Sequence, residues 1–156
     1  MVSKQRAIEV SSVVITSIVL AYIGIISGYN LIAIDTPPQQ GITVKVIARQ
    51  FYWSFEYPNG TSITFPNGTT KEYPNGITLE NVLYVRVGQV VELEIVSMDV
   101  VHGFFIPELG IHINAIPGHV NNYWLKADQP GQYRIMCANF CGTSHYSMIG
   151  QVVAVP

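Results

Sequence analysis

An uncharged run of 24 residues, Val10 to Ala33, constrains this chain more than any other feature. It reads VSSVVITSIVLAYIGIISGYNLIA, and about 20 apolar residues are enough for a helix to cross the hydrocarbon core of a bilayer. Lys4 and Arg6 precede the run and Asp35 follows it. The positive-inside rule then places the N-terminus in the cytoplasm and the rest of the chain on the outer face of the cell membrane. We predict a single-pass membrane anchor.

A cleaved secretory signal peptide is the alternative for this segment. The run is longer than the apolar part of an ordinary signal peptide and lacks an Ala-x-Ala cleavage site, which favours the retained anchor. Composition agrees with membrane attachment, since 49% of residues are hydrophobic, 12% are charged and the mean hydropathy is +0.30. A formal net charge of −2 leaves no basic field that would indicate nucleic-acid binding.

Two prolines, Pro37 and Pro38, divide the chain after the apolar run, because proline cannot continue a helix. We predict a cytoplasmic N-terminus and anchor at 1–34, a Pro-rich linker at 35–41 and an exterior domain at 42–156.

The exterior domain shows the alternating, β-branched and aromatic patterns of short strands. Candidate strands lie at 42–57, 82–87, 90–97, 121–127, 131–137 and 150–155. Gly88 and Gln89 separate two of them, which predicts a hairpin. Short, regularly spaced strands are typical of a β-sandwich or a Greek-key barrel.

A small repeat, YPNG, FPNG and YPNG, occupies residues 57–76. Asn-Gly pairs favour tight turns, so the repeat predicts an elaborated hairpin loop and not a solenoid. Asn59 and Asn67 each begin an Asn-Gly-Thr sequon, and on an exterior face each is a possible glycosylation site.

Both cysteines lie in the segment CANFCGTSHYSM, residues 137–148. Cys137, Cys141, His145 and Met148 have the spacing of one helix face, but the asparagine, glycine, threonine and serine between them are poor helix-interior residues. A straight helix would also hold Cys137 and Met148 about 16 Å apart, too far to share one compact centre. The segment is therefore predicted to be a loop.

An exterior cysteine pair is often a structural disulfide, but this one would close only a small loop and leave the histidine and methionine unexplained. A thioredoxin-like or metallochaperone pair would stand at a helix start in a βαβ setting. Thiolate, imidazole and thioether are soft ligands that suit copper. Two thiolates indicate a binuclear centre, which requires a second histidine from among His102, His112 and His119.

In sequence order, the motifs Asp-x-x-His, Ala-x-Pro-Gly, Pro-Gly-x-Tyr and Cys-x-x-x-Cys-Gly-x-x-His-x-x-Met resemble the CuA domain of subunit II of haem–copper oxidases. The resemblance extends back to the aromatic segment RQFYWSFEYPNG at 49–60 and to the N-terminal anchor. The family usually has two membrane spans in this subunit. The single span of this chain resembles the arrangement in the B-type oxidases, which are common among archaea and thermophilic bacteria.

This resemblance implies a cupredoxin-like Greek-key β-barrel that holds two copper ions. It also implies two bridging thiolates, one imidazole for each copper, and two weak ligands, a thioether and a main-chain carbonyl. In that order these residues are Cys137 and Cys141, His102 and His145, Met148 and Asn139.

The implied function is that of the electron-accepting subunit of a respiratory terminal oxidase. An external one-electron donor, cytochrome c or a small blue copper protein, would reduce the copper centre. The electron would pass to haem in the catalytic subunit I, where oxygen is reduced to water. The alternatives are a freestanding membrane-tethered copper electron carrier, the CuA part of a nitrogen-oxide reductase, and a copper-delivery protein.

The chain departs from the family pattern at several positions. Asn139 stands where many members have a glutamate that helps hold an interface magnesium ion, and the lost charge counts against magnesium here. The segment that contains His112 and His119 differs in polarity from the same segment of other family members. Both histidines are therefore expected to be interface or surface residues.

The family's aromatic segment often begins with a tryptophan implicated in electron uptake. Here that position is Phe51, followed by Tyr52 and Trp53. The resemblance makes these three the candidates for electron uptake, and core packing is the alternative for all of them, above all for Tyr52.

Overall fold

The computed structural model describes residues 3–36 and 41–156, apart from the side chain of Asp35, and divides into two units. Residues 37–40 of the predicted linker, with both of its prolines, lie outside the described part. In its described residues the first unit contains one helix, α1 (Lys4–Asp35), and the predicted N-terminal helix is thereby confirmed.

The apolar side chains of α1 are exposed along its described length. Residues Lys4–Ile34 are long and apolar enough to cross a membrane. The hydroxyls of Ser11 and Thr16 donate to main-chain carbonyls four residues earlier, at 2.7 and 2.9 Å. Those polar groups are therefore satisfied within the helix, as a lipid environment requires. The membrane crossing itself stays a prediction.

Within residues 41–156 the second unit contains twelve strands and two single-turn 3₁₀ helices, Pro107–Leu109 and His145–Ser147. The strands are β1 (Ile42–Arg49), β2 (Tyr52–Tyr57), β3 (Thr61–Thr64), β4 (Thr70–Tyr73), β5 (Ile77–Glu80), β6 (Val82–Arg86), β7 (Val90–Ser97), β8 (His102–Ile106), β9 (Ile111–Ala115), β10 (Asn121–Lys126), β11 (Gly131–Cys137) and β12 (Ile149–Val155).

The strands form two five-stranded sheets and one small hairpin. The strand orders are β10-β7-β1-β2-β5 and β6-β12-β11-β8-β9, and β3 pairs with β4. The pairs β1–β7 and β6–β12 are parallel, and the other pairs are antiparallel. The expected mainly β fold is confirmed.

The apolar core lies between the two sheets because the inward-facing residues of both are hydrophobic. Trp53 and Phe55 of β2 meet Phe104 of β8 edge-on, with ring centroids 5.1 and 6.5 Å apart. All three side chains are fully buried. Aromatic pairs of this geometry add to the stabilisation that area burial already provides.

The predicted hairpin around Gly88 is wrong. β6 pairs with β12, whereas β7 pairs with β1 and β10, so the turn carries the chain from one sheet to the other. Alternating side chains indicate a strand but do not select its partner, and both strands place a buried face on the common core.

Two further strand predictions need correction. The run 42–57 forms two antiparallel strands, because Gln50 and Phe51 make a turn between β1 and β2. β8 and β9 were not predicted, since His102, Gly103 and a short length obscure the alternation there. The repeat at 57–76 does form a hairpin, β3–β4, as expected.

The strand ends place several loops together. β1 and β7 are parallel and end side by side, with Ala48 opposite Ser97. In the other sheet, the start of β8 and the end of β11 are paired through Phe104 and Cys137. A main-chain bond from the nitrogen of Met98 to the carbonyl of Ala48 joins the loop after β7 to β1. The candidate site lies at this end of the domain.

Candidate metal centre

Both thiols of the chain are buried and unpaired. Cys137 ends β11 and Cys141 lies in the loop that follows it. Their Sγ atoms are 3.7 Å apart, whereas a disulfide bond is about 2.05 Å long. Segment 137–148 is a loop with a single 3₁₀ turn, so the rejection of a helical stripe is confirmed. The loop brings two sulfur atoms to one place without bonding them.

His102 lies against the first of these sulfur atoms. It is fully buried, and its Nδ1 is 3.7 Å from Sγ of Cys137. Its other ring nitrogen, Nε2, is 2.8 Å from Oδ1 of Asp99. His102, Cys137 and Cys141 place their potential ligand atoms within 4.8 Å of one another. Among the described residues, these form the one group of histidine, cysteine and carboxylate side chains close enough to hold a metal ion.

The loop supplies three more atoms to the two sulfurs. Nδ1 of His145 lies 3.5 Å from Sγ of Cys141, and Sδ of Met148 lies 4.0 Å from the same sulfur. The main-chain oxygen of Asn139 is 3.2 Å from Sγ of Cys137. All six predicted ligand residues therefore converge on the cysteine pair.

The surroundings of Cys141 disfavour charge on its free thiol. Burial and the neighbouring Cys137 thiol raise the pKa of the Cys141 thiol to about 12. A metal ion reverses that preference, because a coordinating thiol loses its proton on binding. The donor set fits a soft metal ion, since thiols, imidazole nitrogens and a thioether predominate.

Residues 42–155 match the family described as "Cytochrome C oxidase subunit II, periplasmic domain". The chain belongs to the cytochrome c oxidase subunit II family. The resemblance found in the sequence is confirmed, and with it the cupredoxin-like fold.

Three relatives illustrate the match. "Cytochrome c oxidase subunit 2" of Alkalihalophilus pseudofirmus is 34% identical over 96% of this chain and 41% of its own length. "Heme-copper oxidase subunit 2" of Aeropyrum pernix is 36% identical over 76% of this chain and 46% of its own length. The crystal structure of the periplasmic domain of subunit II of cytochrome oxidase of Bradyrhizobium japonicum is 30% identical, with a TM-score of 0.61, and covers 77% of this chain and 88% of that one. The chain thus spans less than half the length of the first two relatives.

Two residues to which sequence reasoning assigned no role, Asp99 and Gln50, support the cluster. Asp99 accepts from Nε2 of His102 and from the main-chain nitrogens of Gln50 and Val100. Partial burial opposes ionisation of Asp99, but these hydrogen bonds outweigh it and lower the pKa of its carboxyl. The Asp-x-x-His spacing was the available signal. Gln50, whose Nε2 donates to the main-chain oxygen of Cys141, had none.

The aromatic candidates for electron uptake occupy different environments. Phe51 is half-buried and lies against the loop, where a Cβ on Gly142 would come within 3.1 Å of its ring. Tyr52 is half-buried and its hydroxyl accepts from Arg49 at 3.2 Å. Trp53 is fully buried, 6.1 Å from the His102 ring between centroids. Of the three, Trp53 is the one that cannot touch a docked donor directly.

The side chains of Asn139 and Asn114 are neutral amides that bond to each other. Nδ2 of Asn139 donates to Oδ1 of Asn114 at 2.8 Å. Two neutral amides bonded to each other do not fit magnesium, which prefers carboxylates and water. His112 and His119 are exposed and lie outside the metal group, as expected.

Proposed function

We infer that this chain is the copper-holding, electron-accepting subunit of a membrane-bound respiratory terminal oxidase. It receives single electrons from an external donor and delivers them to haem in a separate catalytic subunit, where oxygen is reduced to water. The observation that carries this proposal is the pair of unbonded buried thiols with an imidazole nitrogen against each of them.

The donor set supports the following ligand roles. Cys137 and Cys141 would supply the thiolates, and His102 and His145 the imidazoles, that hold the two copper ions. The weak ligands are the thioether of Met148 and the main-chain carbonyl of Asn139. When bound, the copper pair supplies a redox centre that takes up and releases one electron at a time.

The protein's own contribution is to hold these groups in a rigid arrangement and to shield them from water. Cys137, Cys141, His102 and Met148 are all at most 9% exposed. The fixed tautomer of His102 and the packed β8, β11 and β12 leave little to rearrange when the charge changes. A rigid site of this kind suits electron transfer and has no need of a substrate cavity.

A partner can meet the same loop at its surface. Phe140 and Tyr146 are 83% and 80% exposed, although Phe140 adjoins the buried Cys141 and Tyr146 adjoins the half-buried His145. Large exposed apolar side chains often mark contact surfaces. The loop therefore supports transfer to or from a docked protein, with the half-buried Phe51 beside it as the candidate for electron uptake.

Orientation completes the proposal. Helix α1 spans the cell membrane with its N-terminus in the cytoplasm, and the copper domain lies on the outer face. Lys4 and Arg6 before the apolar run support this direction.

The test is to purify the full chain from its native membranes, count copper per chain and record its electron paramagnetic resonance spectrum. We expect two coppers and a seven-line mixed-valence signal, which is lost in Cys137→Ser, Cys141→Ser and His145→Asn. The matched control is His112→Asn, an exposed histidine outside the group, which retains the signal. One copper per chain, or a seven-line signal in Cys141→Ser, contradicts the assignment.

A second measurement separates an oxidase subunit from a freestanding carrier or a reductase component. The chain is solubilised in mild detergent and its companions are identified with their haems. Co-purification with a haem-bearing multispan protein that consumes oxygen supports the proposal, whereas isolation of the chain alone with its copper favours the freestanding carrier.

A further inference from the structure

The β3–β4 hairpin carries two sequons that have no part in the copper site, and the structure presents them differently. Sequon 67–69 occupies the hairpin tip, and sequon 59–61 lies at its base. Glycosyl transfer to an Asn-x-Thr sequon requires both the asparagine amide and the threonine hydroxyl, so both groups must be reachable in a folded acceptor.

At the base of the hairpin the threonine hydroxyl of the sequon is buried and hydrogen-bonded. Thr61 is only 7% exposed, and its Oγ1 donates to the main-chain oxygen of Pro58 at 2.7 Å. The main-chain nitrogen of Gly60 is bonded to the carbonyls of Tyr73 and Pro74, at 3.0 and 3.2 Å. Asn59 itself is exposed, but the hydroxyl of Thr61 and the main-chain nitrogen of Gly60 already have hydrogen-bond partners within the domain.

At the tip the whole sequon faces solvent. Asn67, Gly68 and Thr69 are all exposed. Oδ1 of Asn67 accepts from the main-chain nitrogen of Thr69 at 3.0 Å, which holds the sequon in a compact turn. Within the described residues, Nδ2 of Asn67 and the hydroxyl of Thr69 have no hydrogen-bond partner. Both groups that the reaction needs are therefore available after folding.

The tip is also anchored. Phe65 packs edge-on against Tyr84 of β6, with ring centroids 5.0 Å apart, and the ammonium of Lys71 lies 5.9 Å from the Phe65 ring centroid. Phe65 and Lys71 line a shallow apolar depression that includes Asn67. The first sugar of an attached glycan can rest on such an apolar surface.

A glycan at this position leaves the copper site clear. Tyr57 ends β2 beside the hairpin, and Tyr52 begins β2 beside Phe51 and the metal loop. Those two ends are separated by about 17 Å at about 3.3 Å per residue. A modification at Asn67 therefore decorates the far end of the domain.

We propose that Asn67, and not Asn59, is N-glycosylated on the folded exterior domain. Nδ2 of Asn67 bonds to the anomeric carbon of a lipid-phosphate-linked oligosaccharide, the bond from that carbon to the phosphate breaks, and Nδ2 releases one proton. The proposal rests on the outer-face orientation proposed above but not on the copper assignment.

The experiment is peptide mass spectrometry on the full chain from its native membranes, with Asn67→Gln and the matched control Asn59→Gln expressed in the same host. We expect a carbohydrate mass on the peptide that contains Asn67 alone. Asn67→Gln should migrate as a single lighter species, whereas Asn59→Gln should keep the glycan, and both should keep two coppers per chain.

A glycan on Asn59, alone or together with Asn67, overturns the proposal, because it means that the folded hairpin does not select the site. Two unmodified peptides overturn it as well. Protease accessibility of the domain in intact cells is measured on the same material, so that a wrong orientation is distinguished from a wrong choice of asparagine.

Discussion

His102 has both ring nitrogens assigned by its neighbours. Nε2 faces Oδ1 of Asp99 at 2.8 Å, so Nδ1 is left toward Sγ of Cys137. Asp99 is in turn held by the main-chain nitrogens of Gln50 and Val100, both at 2.7 Å. A carboxylate behind a ligand histidine fixes the ring's tautomer and orientation and raises its basicity.

Replacing Asp99 by Ala should therefore weaken copper binding without removing a ligand. We expect a loss of about 10–100-fold in copper affinity, because His102 is then free to rotate or to change tautomer. Competition with a chelator of known affinity measures the change on the full chain in detergent.

Asp128→Ala is the matched control for that experiment. Asp128 is a surface carboxylate with 76% of its side chain exposed, and its partner is Lys126 at 3.1 Å. The control should retain full copper affinity. Equal affinities in the Asp99 and Asp128 variants contradict the positioning role of Asp99.

At the scale of elements, the metal loop is held by hydrogen bonds and packing contacts from neighbouring segments. The main-chain nitrogen of Ala138 donates to the carbonyl of Gly103 at 2.9 Å, and Gln50 bonds the carbonyl of Cys141. Gly142 has a φ of +136° and leaves no space for a side chain, since a Cβ there would lie 2.8 Å from Nε2 of Gln50. The loop shape thus depends on one glycine and the β1–β2 turn.

Gly142→Ala should lower the free energy of unfolding by about 1–3 kcal/mol, because the backbone is strained and Gln50 and Phe51 are displaced. Gly88→Ala is the control, with a φ of +77° and nothing within 4 Å of an added Cβ. It should cost about 1–2 kcal/mol, from backbone strain alone. Denaturant titration of the copper-free chain gives both values, and copper retention should fall in the Gly142 variant alone. Equal effects of the two changes on stability and copper argue against the packing role of Gly142.

A second feature at this scale joins the two sheets. Tyr57 of β2 donates its hydroxyl proton to the main-chain oxygen of Tyr84 at 2.9 Å and accepts from the main-chain nitrogen of Tyr84 at 2.7 Å. Tyr84 belongs to β6, which is the edge strand of the other sheet. One buried phenol therefore satisfies both outward main-chain groups of an edge residue.

Tyr57→Phe should lower the free energy of unfolding by about 1–3 kcal/mol, because two buried backbone groups lose their partner. Tyr133→Phe, whose hydroxyl donates to the carbonyl of Gln129 in an exposed setting, is the control and should change it by about 0.5 kcal/mol or less. Unfolding by denaturant, followed by the fluorescence of the buried Trp53, compares the two. If Tyr57→Phe lowers the free energy of unfolding no more than the control does, the Tyr57 hydroxyl does not stabilise the contact between the sheets.

The same phenol predicts a pH dependence. Burial, the largest cause, raises the pKa of Tyr57 above its ordinary value of about 10. The unfolded chain therefore loses this proton first, and the contribution of Tyr57 to stability falls as pH rises above about 10. Wild-type stability should drop more steeply there than that of Tyr57→Phe, as read from unfolding midpoints at a series of alkaline pH values. Parallel curves would contradict the burial of the phenol.

On the scale of the whole molecule, an apolar helix and a β domain have opposite solvent requirements. Helix α1 exposes apolar side chains along its described length, whereas residues 41–156 bury theirs between two sheets. The helix satisfies its own interior backbone groups and the hydroxyls of Ser11, Ser12 and Thr16, which suits it to lie in lipid. The chain is thus suited to hold an aqueous domain at a membrane surface.

Tags at the two ends of the chain test its orientation. In intact spheroplasts, added protease should remove a tag after Pro156 and leave a tag before Met1 protected. Replacing Lys4 and Arg6 by Glu should increase the inverted fraction, because these residues carry the orienting charge. Protection of the C-terminal tag in the unmodified chain would place the domain in the cytoplasm and contradict the proposal.

The site residues that lie close together in the sequence could be recognised from it, whereas a ligand far away along the chain could not be chosen by spacing alone. Cys137, Cys141, His145 and Met148 are close neighbours in sequence, so their chemistry could be recognised locally. His102 lies 35 residues before Cys137, and spacing alone left three histidines open. The family resemblance pointed to His102, and the structure brings its ring to the thiols.

The sequence alone determined the apolar helix, the strand-rich domain and the soft-ligand loop, because hydrophobic pattern, residue type and local spacing are properties of neighbouring residues. Tertiary structure alone decided that β6 and β7 lie in different sheets, that His102 lies against the thiol of Cys137, 35 residues further along the chain, and that only one sequon keeps its hydroxyl free. Those features depend on strand pairing and burial. Both bring together residues from distant parts of the chain, and no local pattern encodes which of them will meet.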